Sequence, residues 1–243
     1  MAGSSADMLI IFAASPLETN LLRKNIRNMQ ILHCGSVQVF SGTLQGRNIL
    51  LSHGGVGQVN MAAQLTRLLS EYSSEAMLLC GCGGSYPDSG LQVGDLALAE
   101  TEIYGDLGVA TVDKFIPLDQ LNLPQNPQLA PIIQQSISLN PDLLKWAQEI
   151  LPNATHGTFV TVNLCSGNTD LSLELQQRTG GICENMEGAA AAQVCAEFKI
   201  PLLELRGISN PTGTRDPQQW DIHRGAEAAQ WGILELLENW PVE

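Results

Sequence analysis

Glu18, Glu187 and Asn210 each stand just beyond an apolar run that suits a buried strand, and each carries a group able to move or bind a proton. Glu18 closes Ser15-Pro16-Leu17-Glu18. That spacing is a helix start, with Ser15 as N-cap and Pro16 in the first turn, and equally places a carboxylate where it can take a proton from water. Glu187 lies in Glu184-Asn185-Met186-Glu187-Gly188, at a strand-to-helix junction where an acid suits the helix dipole. If it opens on a cleft, its two oxygens can accept both hydroxyls of a sugar diol, with Met186 as a soft apolar floor. Asn210 follows the run Pro201–Ile208 through Ser209 and precedes Pro211, which reads as a turn or as an amide at a strand tip. Within that run Arg206 and Glu204 share one face of the strand, and a charge so buried needs a partner.

Glycine-rich stretches Gly54-Gly55-Val56-Gly57 and Gly81-Cys82-Gly83-Gly84 read as tight turns after strands, close enough for backbone amides to approach a ligand. Neither has the Gly-Lys-Ser/Thr ending of a phosphate loop or the full dinucleotide fingerprint. The six cysteines form no Cys-x-x-Cys pair and match no zinc spacing with the four histidines, so no metal or other cofactor is expected. Free thiols in a reducing compartment are the simplest reading. With 25 acids against 12 bases the net charge is -13, which repels phosphate backbones and anionic lipid. Nucleic acid and membrane are therefore not expected as partners. The apolar stretch Met8–Ala14 has no Arg or Lys before it and an acid at Asp7, so export is not expected and the cytoplasm is.

These groups need a scaffold that brings distant strand ends together. Runs suited to buried strands occur at Met8–Ala14, Asn48–Ser52, Ala76–Cys80, Asp95–Ala99, Phe159–Val162 and Pro201–Ile208. Helical patterns lie at Pro16–Met29, Gln58–Tyr72, Leu171–Arg178, Glu187–Phe198 and His223–Trp240, with another capped by Asn140-Pro141-Asp142 and reaching Leu151. Val37–Leu44 and Asn48–Ser52 read as a hairpin, and Leu121–Pro131 as a loop. The alternation predicts a three-layer α/β/α sandwich in one domain, residues 1–243, around a central mixed, mostly parallel sheet. Such sheets bind ligands beyond the carboxyl ends of their strands.

The order Glu18, Gly-x-Gly-x-x-Asn60, Gly81-Cys82-Gly83-Gly84, Asn185-Met186-Glu187 and Arg206-x-x-Ser209-Asn210 resembles the purine nucleoside phosphorylase/hydrolase superfamily. Within it the chain is similar to the methylthioadenosine/S-adenosylhomocysteine nucleosidases. It is more narrowly similar to the futalosine hydrolases, through Gly83 to Pro87, Tyr104 to Val109, Glu184 to Gly188 and Arg206 to Asp221. The resemblance implies hydrolysis of futalosine to hypoxanthine and dehypoxanthinyl futalosine, a menaquinone-pathway step, without a cofactor. It implies Glu18 as general base, Glu187 on the ribose hydroxyls, Met186 under the sugar, and Asn210 at the base edge oriented by Arg206. Asn185, Cys82, Gly83 and Ser209 complete the implied substrate contacts. An amide suits the two acceptors of a 6-oxopurine but also pairs with adenine, so methylthioadenosine, S-adenosylhomocysteine or aminofutalosine remain alternatives. Phosphorolysis is the rival, disfavoured because neither glycine stretch holds a basic residue for phosphate. Arg215 or Lys114 would meet a carboxylate on the 5′ side, and Phe115 an aryl ring. A homo-oligomer, dimer or larger, is implied as well.

Overall fold

The computed structural model describes residues 8–121 and 136–241. Its strands are β1 (Met8–Ala13), β2 (Arg27–Cys34), β3 (Val37–Leu44), β4 (Arg47–His53), β5 (Ala76–Ser85) and β6 (Leu96–Tyr104). They continue as β7 (Gly108–Ala110), β8 (Phe115–Pro117), β9 (Ser136–Ser138), β10 (Thr155–Thr161), β11 (Cys183–Asn185) and β12 (Leu202–Pro211). The helices are α1 (Asn20–Asn25), α2 (Gln58–Glu71), α3 (Pro141–Ile150), α4 (Thr169–Thr179), α5 (Gly188–Phe198) and α6 (Ile222–Glu238). The chief sheet runs β11-β10-β6-β12-β5-β1-β4-β3-β2, with β9 on β6. Its centre, β4-β1-β5-β12, is parallel, and antiparallel pairs β3–β4 and β2–β3 extend one edge. β11 pairs with β10 and also with the end of β5, so the sheet curls back on itself around Gly84 and Glu184.

Two helical layers follow from the two-residue period of the strands. In β1, Ile10 and Phe12 pack with Met61 and Leu65 of α2 and Ala191 of α5. Leu9, Ile11 and Ala13 point the other way, to Leu22 of α1, Ala147 of α3 and Ile233 of α6. Burial on both faces explains why this strand reads as an unbroken apolar run. Helix α3 starts as its sequence requires: Asn140 Oδ1 accepts from the amides of Asp142 and Leu143, with Pro141 in the first turn. Among the described residues no helix is long and apolar enough to cross a membrane.

Two expectations change. The pattern over Pro16–Met29 is not one helix: a 3-10 turn (Pro16–Thr19) leads into α1, and extended backbone at Ile26 opens β2. β2 is an exposed edge strand, so it lacks the apolar alternation that would have marked it. Gly81-Cys82-Gly83-Gly84 is not a turn but the last stretch of β5, and Asn210 lies on β12. A Cβ on Gly81 would meet Glu18 Oε1 at 2.6 Å and Arg206 Nη1 at 2.8 Å, so glycine is there to admit two charged side chains. The loop expected beyond Leu121 lies outside the described residues.

Candidate active site

A cleft of about 330 Å³ opens beyond the carboxyl ends of β1, β5, β10, β11 and β12. Glu18, Met186, Glu187 and Asn210 all line it, although they come from widely separated parts of the chain. The parallel centre of the sheet brings Glu18 and Asn210 together, and the curl that sets β11 against β5 adds Met186 and Glu187.

Glu18 is buried and fully directed. Ser15 N–H (2.8 Å) and Oγ (3.0 Å) donate to Oε2, while the Cys82 amide donates to Oε1 at 2.9 Å. The helix-start role and the cleft-facing role therefore coexist in one carboxylate. The Cys82 thiol, also in the cleft wall, is pushed up to about 12 by burial and by the Glu18 charge, so it stays a thiol at neutral pH. Beneath Glu18, Thr19 Oγ1 lies 2.6 Å from His53 Nε2, and burial with the nearby Arg23 charge lowers that imidazole to about 4.

Glu187 caps α5 and accepts from the Gly57 amide at 2.9 Å through Oε1 and from Arg206 Nη1 at 3.3 Å through Oε2. Gly57 has φ +94°, a conformation that favours glycine, and so delivers its N–H to the acid. Asn185 holds the junction: its Oδ1 accepts from the amides of Glu187 (2.9 Å) and Gly188 (2.7 Å), and its Nδ2 donates to Glu102 (2.7 Å). Asn185 thus borders the cleft with its amide spent inside the protein, and positions Glu187 rather than offering itself to a ligand.

Arg206 does not orient Asn210. It is 1% exposed behind the cleft, donating through Nε to Glu204 (2.8 Å) and through Nη1 to Cys82 O (3.2 Å) as well as to Glu187. Burial works against its charge, but Glu204, Glu187 and Glu18 outweigh burial and hold it protonated. Asn210 is oriented by its neighbours: Ser209 Oγ sits 2.7 Å from Oδ1, and Nδ2 donates to Pro211 O at 2.9 Å. The amide is left with one Nδ2 hydrogen to donate and one Oδ1 lone pair to accept.

Gly83 and Ser209 line the cleft, and so does Arg215, whose guanidinium lies 4.5 Å above the Trp220 ring. Arg215 has no ion-pair partner among the described residues. Phe115 and Lys114 are placed elsewhere, in a separate cavity under the β7–β8 hairpin, where Arg178 covers the Phe115 ring at 4.0 Å. That hairpin turns them away from the strand ends that build the cleft.

Two cleft residues escaped the sequence reading. Glu184 receives Ser166 N–H (2.9 Å), Ser166 Oγ and Tyr86 Oη (3.1 Å), and burial raises its pKa against the pull of those donors. Its place on the same run as Glu187 was the available signal. Trp220 lines the wall with its Nε1 buried and without a hydrogen-bond partner among the described residues; it falls in the run Arg206 to Asp221, where no role was assigned to it.

A model of the phosphorylase superfamily matches residues 8–238, and the chain belongs to that superfamily. It is 28% identical to a 5'-methylthioadenosine/S-adenosylhomocysteine nucleosidase of Tolumonas auensis over 95% of this chain and 98% of that one. It is 30% identical to a futalosine hydrolase of Thermus thermophilus over 80% and 83% of the two chains. Among solved structures, the nucleosidase of Neisseria meningitidis in complex with methylthio-immucillin-A superposes with a TM-score of 0.83, covering 96% and 99% of the two chains at 19% identity. The fold is thus that of the nucleoside phosphorylases, and these relatives are N-glycosyl hydrolases.

Proposed function

We propose that the protein hydrolyses the N-glycosidic bond of a purine riboside, with futalosine as substrate and hypoxanthine as the released base. The observation that carries this reading is the convergence of Glu18, Glu187 and Asn210 on one cleft of about 330 Å³, a volume suited to a nucleoside-sized ligand. Glu18 takes a proton from water as the water oxygen bonds to C1′. The C1′–N9 bond breaks, its electron pair leaves with the base, and solvent protonates the base. Glu187 accepts from the 2′ and 3′ hydroxyls, and its charge favours the cationic sugar of the transition state. Met186 packs beneath the ring.

A 6-oxopurine is supported by strand register. Glu184 and Asn210 both pair with Gly84, one from each side, so two polar side chains flank a position that has none. Asn210 Nδ2 would donate to N7 or O6. Glu184, already held by three donors, acts as an acceptor and suits the N1–H that hypoxanthine has and adenine lacks. Arg215, stacked on Trp220 in the cleft wall, suits a carboxylate on the 5′ substituent. Phosphorolysis finds less support, since Arg206 is committed behind the wall.

The test incubates the pure protein with futalosine, inosine and methylthioadenosine, with and without phosphate. Hypoxanthine from futalosine at a rate independent of phosphate is expected. Adenine from methylthioadenosine with futalosine untouched would establish the second reading, which the Tolumonas relative favours. Arg215→Met should raise KM for futalosine by about tenfold or more and leave inosine unaffected; an equal effect on both would remove Arg215 from the 5′ side. The homo-oligomer belongs to the same proposal, and a single monomer-mass species in sedimentation velocity would contradict it.

A further inference from the structure

Behind the cleft lie two carboxyl groups that hydrolysis does not use. Glu102 of β6 and Glu204 of β12 are both 0% exposed and lie close together at one point of the core. Both also crowd Gly188, where an added Cβ would meet Glu102 Oε1 at 1.9 Å and Glu204 Oε1 at 2.7 Å. Glu204 Oε1 takes the Arg206 Nε hydrogen bond, whereas Oε2 is buried without any donor. Glu102 in turn accepts from Thr161 Oγ1 (2.7 Å) and Asn185 Nδ2 (2.7 Å). Counting Glu187 and Glu18, four buried acids surround Arg206 among the described residues.

Two adjacent carboxyls in a dry interior do not both ionise, because one charge raises the cost of the next. We propose that Glu102 and Glu204 share one proton, and that the pair so held positions Arg206 and Asn185 to fix Glu187. The shared proton satisfies the orphaned oxygen and leaves one negative charge opposite Arg206, whose other side steadies Glu187. Glu102 completes the arrangement through Asn185, whose Oδ1 fixes the Glu187 amide. The charged and titratable groups facing the pair agree with this balance. From β12 there is Arg206, from α5 Glu187 and Cys195, from β11 Cys183 and from β6 Tyr104. Burial pushes these three thiol and phenol groups upward, so all stay neutral and Arg206 is the one cation facing the pair among the described residues. Burial chiefly, then the Glu204 charge, raises Glu102 well above the ordinary carboxylate range. The macroscopic proton belongs to the pair, not to either residue.

The role rests on Glu187 binding the sugar, but the shared proton does not. Infrared difference spectra of the whole protein at pH 7 should show a protonated-carboxyl carbonyl band that disappears in Glu102→Gln, where Glu204 faces Arg206 alone and ionises, and shifts in frequency in Glu204→Gln, where burial still holds Glu102 neutral. Kinetics reads the positioning separately. Glu204→Gln removes the charged partner of Arg206 and should raise KM for the riboside by about tenfold, with Glu204→Asp recovering part of the loss. Glu102→Gln keeps the charge on Glu204 and should stay within about threefold. A wild-type spectrum without the band overturns the shared proton, whether or not the variants fold or any riboside is cleaved. Equal KM effects of the two Gln variants, with the band present, overturn the positioning role alone.

Discussion

Glu18 is the residue whose removal should separate chemistry from binding most cleanly. Glu18→Gln keeps the shape and loses the proton acceptor, so kcat should fall by roughly 10²–10⁴ while calorimetric hypoxanthine affinity stays unchanged. Unchanged turnover would take the general-base role away. Glu187→Gln keeps one acceptor oxygen and gives up one charge-assisted bond to the sugar, about 1.5–3 kcal/mol, and should cost about ten- to a hundredfold in kcat/KM. Asn210→Asp should lower the ratio of futalosine to methylthioadenosine turnover, and a constant ratio would mean that the base is read elsewhere. At this scale the sequence was informative where a polar residue ends an apolar run, as at Glu18, Glu187 and Asn210. It was silent where partnership depends on three dimensions. The resemblance implied that Arg206 orients Asn210, but its side chain leaves β12 on the side of Glu204 and Glu187.

At the level of elements, the end of β5 decides how tightly the cleft is built. A Cβ on Gly83 would sit 2.3 Å from Cys183 Sγ on β11, so Gly83→Ala should destabilise the fold by about 1–3 kcal/mol, read as a lowered denaturation midpoint. An unchanged midpoint would show that β11 can shift freely. These glycines were read as a turn because glycine runs punctuate strands, whereas here they let side chains of the flanking segments pass. β2 was missed for the opposite reason: an edge strand with one buried residue carries no apolar period. The β4–Thr19 contact gives a pH signature. His53 titrates at 6.5 unfolded and about 4 folded, so its contribution is present above pH 6.5 and lost as pH falls through about 4. His53→Gln should flatten the acid-side loss of stability between those values in chemical denaturation, and an unaltered slope would assign the loss to other groups.

The whole molecule combines opposing proton linkages. Glu102, Glu184 and Glu204 all have raised folded values, each chiefly through burial. Their contribution is present below the unfolded value of 4.5 and lost as pH rises through the folded values. His53 opposes them only below pH 6.5. Stability should therefore fall less steeply in Glu102→Gln than in the wild type as pH rises from 4.5 through the folded values; an unchanged slope would contradict burial holding Glu102 against ionisation. The layered α/β plan was legible because β1 and β5 are apolar on both faces and alternate with amphipathic α2 and α6. The curl that brings β11 onto β5 was not, since three residues of strand carry no signal of which partner they choose. That curl places Glu184 opposite Asn210, and with it the chemistry of the cleft. The most direct measurement runs futalosine turnover in ¹⁸O-labelled water with phosphate present and follows the sugar product by mass spectrometry. Label at C1′ of dehypoxanthinyl futalosine, with free hypoxanthine, is the predicted result; an unlabelled sugar 1-phosphate would contradict hydrolysis at this site.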